Sequence, residues 1–388
     1  MTNDFFANIN LSEKTASSYS LPNILIGAAN QLIQLNYNPQ TQKYQPQVTV
    51  NLWESDSHPA INPNFIQVLS DEIIVGTQAK IVKLSRSLEK IKVREFAEIA
   101  AIAIAGETIF VGTEGKLVSL DKDLKILSEV DLELPGFRGK KNTHDILVYG
   151  SVAYLLDNII EPIYILRVDV SNPSHLQIIS KFEIVGTNHH LKRQWLNPSL
   201  NQWYILQSYG TQAGSGENII IFSLDLETGG VSLERSQFAG FRSPFEQNSS
   251  MLGYQAINRT SFSEPREFQG IELLTANPFP PLWAVIHDQR EQLYLALMNS
   301  RNNQIVFDKQ LHLGKLTNGF DLTAQIMSIN QLLLLVIKGW NNNHLFARLL
   351  LIKLAKRPSI ILNQALDEVA LESLTVAHCL NGVAQTKR

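Results

Sequence analysis

The chain has one cysteine, Cys379, in 388 residues, so no intrachain disulfide can form and nothing in it calls for an oxidising compartment. A surplus of charge is also missing. The 33 Lys and Arg against 36 Asp and Glu leave a formal net charge of −3 and a pI near 6.3. A field that weak does not draw a polyanion. The two basic clusters, Gly139-Lys140-Lys141 and Lys192-Arg193, are short enough to be solvated loop residues. No nucleic-acid partner is expected. Apolar runs such as LLLLVIKGW from Leu332 fall far short of the roughly 18 residues a helical span needs, so no membrane partner is expected. The opening MTNDFFANINLSEKTASSYS has no basic stretch followed by an apolar one, so no signal peptide is expected. Without secretion the glycosylation-type triplets at Asn248 and Asn258 carry no meaning. The expectation is a cytoplasmic monomer.

Chemistry with a fixed sequence signature is absent as well. No Gly-x-Ser-x-Gly elbow and no Cys-His zinc spacing occur. The loop GTQAGSGEN at Gly210 lacks the spacing and the lysine of a phosphate-binding loop. The acidic run DKDLKILSEVD from Asp121 lacks the glycine that a calcium loop needs at its sixth position. Trp195, Trp203, Trp283 and Trp340 read as core residues before they read as ligand-stacking ones.

What is present is enough apolar material for a packed core. Hydrophobic residues make up 44% of the chain, and charged residues 18%, below the roughly 25% of ordinary globular chains. The length fits two or three ordinary domains or one large closed β-structure. A repeat decides between them. NFIQVLSDEIIVGTQAKIVKLSRSLEKIKVREF from Asn64, IAAIAIAGETIFVGTEGKLVSLDKDLKILSEVDL from Ile99 and the stretch 142–184 align as strand, turn, strand, turn, strand, turn, strand. β-Branched and aromatic residues fill the strands, and Gly, Asn, Asp and Ser mark the turns. Four short antiparallel strands in roughly 35 to 45 residues is the size of a propeller blade. Further units begin at Arg193, Leu282 and Leu322.

The two ends complement each other. NILIGAANQLIQLNYNPQTQKYQPQVTVNL from Asn23 supplies the second, third and fourth strands of a unit but no first. ESLTVAHCLNGV from Glu372 resembles the missing first strand, and a strand from one terminus completing a blade from the other leaves no free sheet edge. A rival reading makes 363–374 an amphipathic helix, because Ala365, Leu366, Val369 and Ala370 recur at near-helical spacing. The expected fold is therefore all-β, a single seven-bladed β-propeller over residues 19–380, closed by the C-terminal strand and flanked by tails 1–18 and 381–388. The segment 239–281, rich in Phe, Pro, Ser and Asn, is a long insertion on this count, or an eighth, degenerate blade.

Within 142–184, the groups His144-Asp145-Ile146, Ala153-Tyr154-Leu155-Leu156-Asp157 and Val168-Asp169-Val170-Ser171-Asn172-Pro173 resemble the LVIVD repeat. IIEPI at 159–163 departs from that family's glycine-containing turn. The resemblance implies a β-propeller and implies little about activity.

In a propeller the first strand of each blade lines the central channel, and the loops entering those strands share one face. Residues entering first strands include Asn62, Asn64, Glu98, Thr143, His144, Asp145, His189, His190, Asp321 and Glu372. His189, His190, Glu98 and Asp145 are the candidates for acid-base catalysis, and His144, His189 and His190 for holding a divalent metal. The competing reading gives the His144-Asp145 pair a scaffold role, hydrogen-bonding a turn and its neighbours. His144, Arg193, Phe241, Arg242 and Phe245 are the candidate ligand contacts, since aromatic and Arg anchors dominate binding. Cys379, within an expected inner strand, reads as an inert buried thiol. Two functions follow: a binding module that presents its channel-face loops to a protein or small molecule, or a propeller hydrolase, lyase or cyclase.

Overall fold

The computed structural model describes residues 21–53, 63, 65–132, 143–157, 163–184, 189–197, 202–211, 214–224, 231–232, 239–241, 270–274, 282–289, 292–301, 304–315, 322–329, 332–341, 344–354, 358–366 and 376–379. Among them are strands and turns but no helix. The strands assemble into seven antiparallel sheets, each built on four strands, six of them in hairpin order. The tails 1–18 and 381–388 lie outside the described residues.

The sequence pattern explains the sheets. The second and third strands of a unit are packed on both faces, so they read as continuous apolar runs. β9 (Thr108–Thr113, TIFVGT) and β10 (Lys116–Leu120, KLVSL) are buried in this way. The fourth strands are half solvated and mix polar with apolar residues, as in β11 (Ile126–Asp131, ILSEVD). The fourth strands β3 (Lys43–Asn51), β11, β15 (Gln177–Ile184) and β28 (Ser359–Ala365) each carry a one-residue register shift. A bulge there twists the exposed edge away from pairing with another chain, and Pro46 in β3 acts to the same end.

The chain divides into two compact units. The first comprises the described residues within Met1–Val75, Leu84–Lys90 and Asn258–Gln385. In it β29 (Val376–Cys379) pairs antiparallel with β1 (Ile24–Ala28), Cys379 opposite Ile24 and Val376 opposite Gly27, ahead of β2 (Gln31–Asn38) and β3. β1 is fully buried, and its apolar residues pack with Leu334, Val336, Leu349 and Leu351 of the sheet formed by β25 (Leu322–Ile329), β26 (Leu332–Asn341), β27 (His344–Lys353) and β28. Burial of each such side chain contributes about 1.5–3 kcal/mol. The helical reading of 363–374 fails over its first half: Asn363–Ala365 end β28, and the Leu366 amide donates to Ala347 O at 3.0 Å. Apolar spacing alone could not choose, and the neighbouring strand did.

The second unit comprises the described residues within Gly76–Lys83, Ile91–Ile257 and Thr386–Arg388. It holds the sheet β8 (Ala101–Ala105) to β11, the sheet β12 (Thr143–Tyr149), β13 (Val152–Asp157), β14 (Ile163–Asp169) and β15, and the sheet β16 (His189–Asn197), β17 (Gln202–Thr211), β18 (Gly214–Leu224) and β19 (Val231–Ser232). Phe110, Leu117, Ile146, Leu155 and Leu166 form one core between the first two of these sheets. A further four-stranded sheet lies within residues 65–95.

Within 239–281 the described residues are two short strands. β20 (Ala239–Phe241) pairs with β18, and β21 (Gly270–Leu274) pairs with β22 (Leu282–Gln289), opening the sheet that continues through β23 (Gln292–Arg301) and β24 (Gln304–Lys315). Strands of three and five residues in a polar segment carry too little periodicity to stand out in the sequence.

Candidate functional site

The first strands β8, β12 and β16 of the second unit lie beside one another. β8 runs in unbroken register with its partner. Both β12 and β16 carry a bulge. In β12 the register shifts between Thr143 and Asp145, with His144 as the extra residue; in β16 it shifts between Leu191 and Arg193, with Lys192 as the extra residue. Bulges of this kind re-aim side chains near strand ends.

Immediately after the bulges the two strands are tied together. One carboxylate oxygen of Asp145 accepts the Ile146 amide at 3.0 Å and the other accepts the Gln194 amide at 2.9 Å. The Gln194 side chain answers by donating from Nε2 to Tyr154 O at 2.9 Å and to Asp145 O at 3.3 Å. Its Oε1 accepts Trp203 Nε1–H at 3.0 Å. Trp203, fully buried, meets the Tyr154 ring at 5.0 Å between centroids. Burial pushes the Tyr154 phenol up, against the opposing pull of the Arg167 guanidinium, whose Cζ stands 5.9 Å from the ring. A carboxylate that accepts from two backbone donors helps to orient and hold the strands that carry them. Gln194 was invisible in the sequence, because a lone Gln in a strand has no pattern.

The remaining candidates divide by register. His189 stands opposite Tyr209 and His190 opposite Ser208. Adjacent residues of a strand belong to opposite faces, so the pair is split between the two sides of the sheet. His190 falls on a row that continues across the sheet: Ser208 is opposite Glu217, and Glu217 is opposite Phe241. Two residues along that face, Arg193, Leu206, Ile219 and Ala239 form the next row. Thus His190, Arg193 and Phe241, chosen from separate stretches, share one face; Ser208 and Glu217 are additions the sequence did not signal. Glu98 lies half-buried ahead of β8. Asn62, Asn64, Arg242, Phe245, Asp321 and Glu372 lie outside the described residues. Among the described residues no group of three or more His, Cys, Asp or Glu is placed to hold a metal, and no helix is long and apolar enough to cross a membrane.

The acidic run at Asp121 has a local explanation. Its carboxylate accepts the Asp123 and Lys125 amides, both at 2.8 Å, and so closes the turn between β10 and β11.

No family model and no curated protein matches the chain. Solved structures do. A hypothetical selenium-binding protein from Sulfolobus tokodaii matches with TM-score 0.62 and 10% identity over 96% of each chain. A protein from Lactobacillus plantarum matches with TM-score 0.58 and 11% identity over 92% of this chain and 98% of that one. A quinonprotein alcohol dehydrogenase-like protein from Bacteroides thetaiotaomicron matches with TM-score 0.55 and 9% identity over 93% and 78%. These neighbours are β-propellers, and at such low identity the likeness speaks for the fold alone: the chain is an all-β protein of β-propeller type.

Proposed function

We propose that the protein is a cytoplasmic binding module, a single propeller over residues 19–380 whose seven sheets are its blades and whose strand β29 closes the ring on β1. Its ligand is a protein or small molecule taken up on the face of the β16–β20 sheet and the loops at the starts of β12 and β16. The observation that carries this reading is the row His190, Ser208, Glu217 and Phe241, with Arg193 on the next row of the same face. His, Ser, Glu, Phe and Arg, residue types that supply anchors and polar contacts in recognition, thus occupy neighbouring register positions of one sheet. The neighbouring Asp145 is engaged in holding two strands together, which favours display over acid-base chemistry. The LVIVD-like stretch 142–184 fits the same reading, since it forms the sheet against which β16 is tied.

Affinity capture from the native cell with the full chain, compared with the His190→Ala/Phe241→Ala chain, tests the proposal. A partner retained by the first and lost by the second, with both melting alike, is the expected result. Stoichiometric metal in the purified protein that is lost in the His189→Ala/His190→Ala chain would instead establish the metal-dependent enzyme.

A further inference from the structure

The third strands of three successive sheets, the one at 65–95, β8–β11 and β12–β15, each carry a buried polar residue at the same place. Ser119 in β10 and Arg167 in β14 both stand immediately before the register shift of the fourth strand. Lys83, in β6 (Lys80–Ser85), takes that place when KIVKLS is aligned with KLVSL. All three are buried. Lys83 and Ser119 spend their donors on the turn of the next sheet: Lys83 Nζ donates to Lys122 O at 2.8 Å, and Ser119 Oγ donates to Pro173 O at 2.5 Å.

Arg167 breaks the series. It is 6% exposed, and its Nε has no hydrogen-bond partner among the described residues. The Tyr154 ring covers one side of its guanidinium. Ser180, its cross-strand partner, has an Oγ that is likewise buried with no partner among the described residues. Cross-strand partners place their Cβ atoms roughly 4.5–5.5 Å apart, so both polar atoms can address one point. A buried cation without a counter-charge is among the most costly arrangements in a protein interior. A guanidinium N–H and a hydroxyl O–H are both donors to an anion.

We propose that Arg167 and Ser180 form a structural binding site for a small inorganic anion, either a halide or a compact oxyanion, beside Tyr154 in the β12–β15 sheet. The anion supplies the acceptor that Lys122 O and Pro173 O supply to Lys83 and Ser119 of the two preceding sheets. It binds the folded chain and not the unfolded one, so it stabilises by mass action.

Thermal melts of the full chain at constant ionic strength, with chloride, sulfate or gluconate as the only anion, test this. A saturable rise of a few degrees in chloride or sulfate over the bulky gluconate is expected. Which of the two acts separates a halide from an oxyanion. Arg167→Met is expected to abolish the difference and Ser180→Ala to weaken it, the second serving if the first does not fold. Bromide soaked into crystals should give an anomalous peak beside Arg167 Nε where a halide is taken. Melts that coincide in all three anions, or a difference that survives both substitutions, would overturn the assignment.

Discussion

Gln364 holds the backbone of Tyr44 at both of its polar groups. The Tyr44 amide donates to Gln364 Oε1 at 2.7 Å, and Gln364 Nε2 donates to Tyr44 O at 2.7 Å. A side chain of β28 thereby pairs with the edge strand β3 as another strand would. Replacing Gln364 by Ala removes both hydrogen bonds from the half-buried Tyr44 backbone, at about 0.5–1.5 kcal/mol for each. The expected loss of about 1–3 kcal/mol is measured by urea unfolding. Gln364→Glu keeps the acceptor and removes the donor, so it should fall between the two. An Ala variant as stable as the parent would show that the pairing contributes nothing.

Asp145 and Gln194 act as a unit, because each satisfies the other. Removing Asp145 takes the carboxylate away from the Gln194 amide, and removing the Gln194 side chain takes away its bonds to Trp203 Nε1–H and Tyr154 O. Each substitution to Ala should cost roughly 1.5–3 kcal/mol. The double variant should cost less than the sum, with a coupling of roughly 0.5–3 kcal/mol. Strict additivity in the double-mutant cycle would disconnect the two strands.

The sheets were legible because their chemistry is local. Continuous apolar runs, Gly at the turns and a stray C-terminal strand all declare themselves within a few residues, and β29 pairs with β1. The site was legible only in fragments. His190, Arg193 and Phe241 could be chosen as residue types, yet their sharing of one face depends on three hairpin registers. Nothing in the His189-His190 dipeptide announces that the strand period divides it. The role of Asp145 became visible only with Gln194, 49 residues away, and such a tie leaves no mark in either segment.

The turn between β1 and β2 contains Ala29 at a φ of 50°, a left-handed conformation that side chains other than Gly tolerate poorly. Gly106 and Gly150 take the same first position of two-residue turns with φ of 60° and 56°. A Cβ added at either glycine meets nothing within 4 Å, so the cost there is conformational. Ala29→Gly is therefore expected to raise stability by up to about 1 kcal/mol, and Gly106→Ala to lower it by about 1–2 kcal/mol. Chemical denaturation of both variants checks the pair, and a destabilised Ala29→Gly chain would refute the argument from φ.

Tyr154 should make the fold sensitive to alkali. Burial holds its phenol proton more tightly in the folded chain than in the unfolded one. A group with a raised folded pKa contributes stability that is complete below the unfolded value near 10, and that is lost as pH rises through the folded value. Denaturation between about pH 9 and pH 11 should show stability falling more steeply in the parent than in Tyr154→Phe. Equal slopes would mean that the phenol titrates alike in both states.

β29 is four residues long, yet it flanks the most deeply buried strand of its sheet. Ile24, Leu25 and Ile26 are wholly inaccessible, and β29 pairs with Ile24, Leu25, Ile26 and Gly27. Removing residues 376–388 opens one edge of β1 and exposes an apolar strand with unpaired N–H and C=O groups, which invites aggregation as well as unfolding. Ala377→Pro tests the same point at full length. Ala377 stands opposite Ile26 in β29, the first strand of its sheet, and a proline there fixes φ at about −65°, away from the extended value of a paired strand. Both chains should melt well below the parent, with the truncated one prone to aggregate. A truncated chain that unfolds with the parent's midpoint and cooperativity would show that the C-terminal strand contributes nothing to the fold.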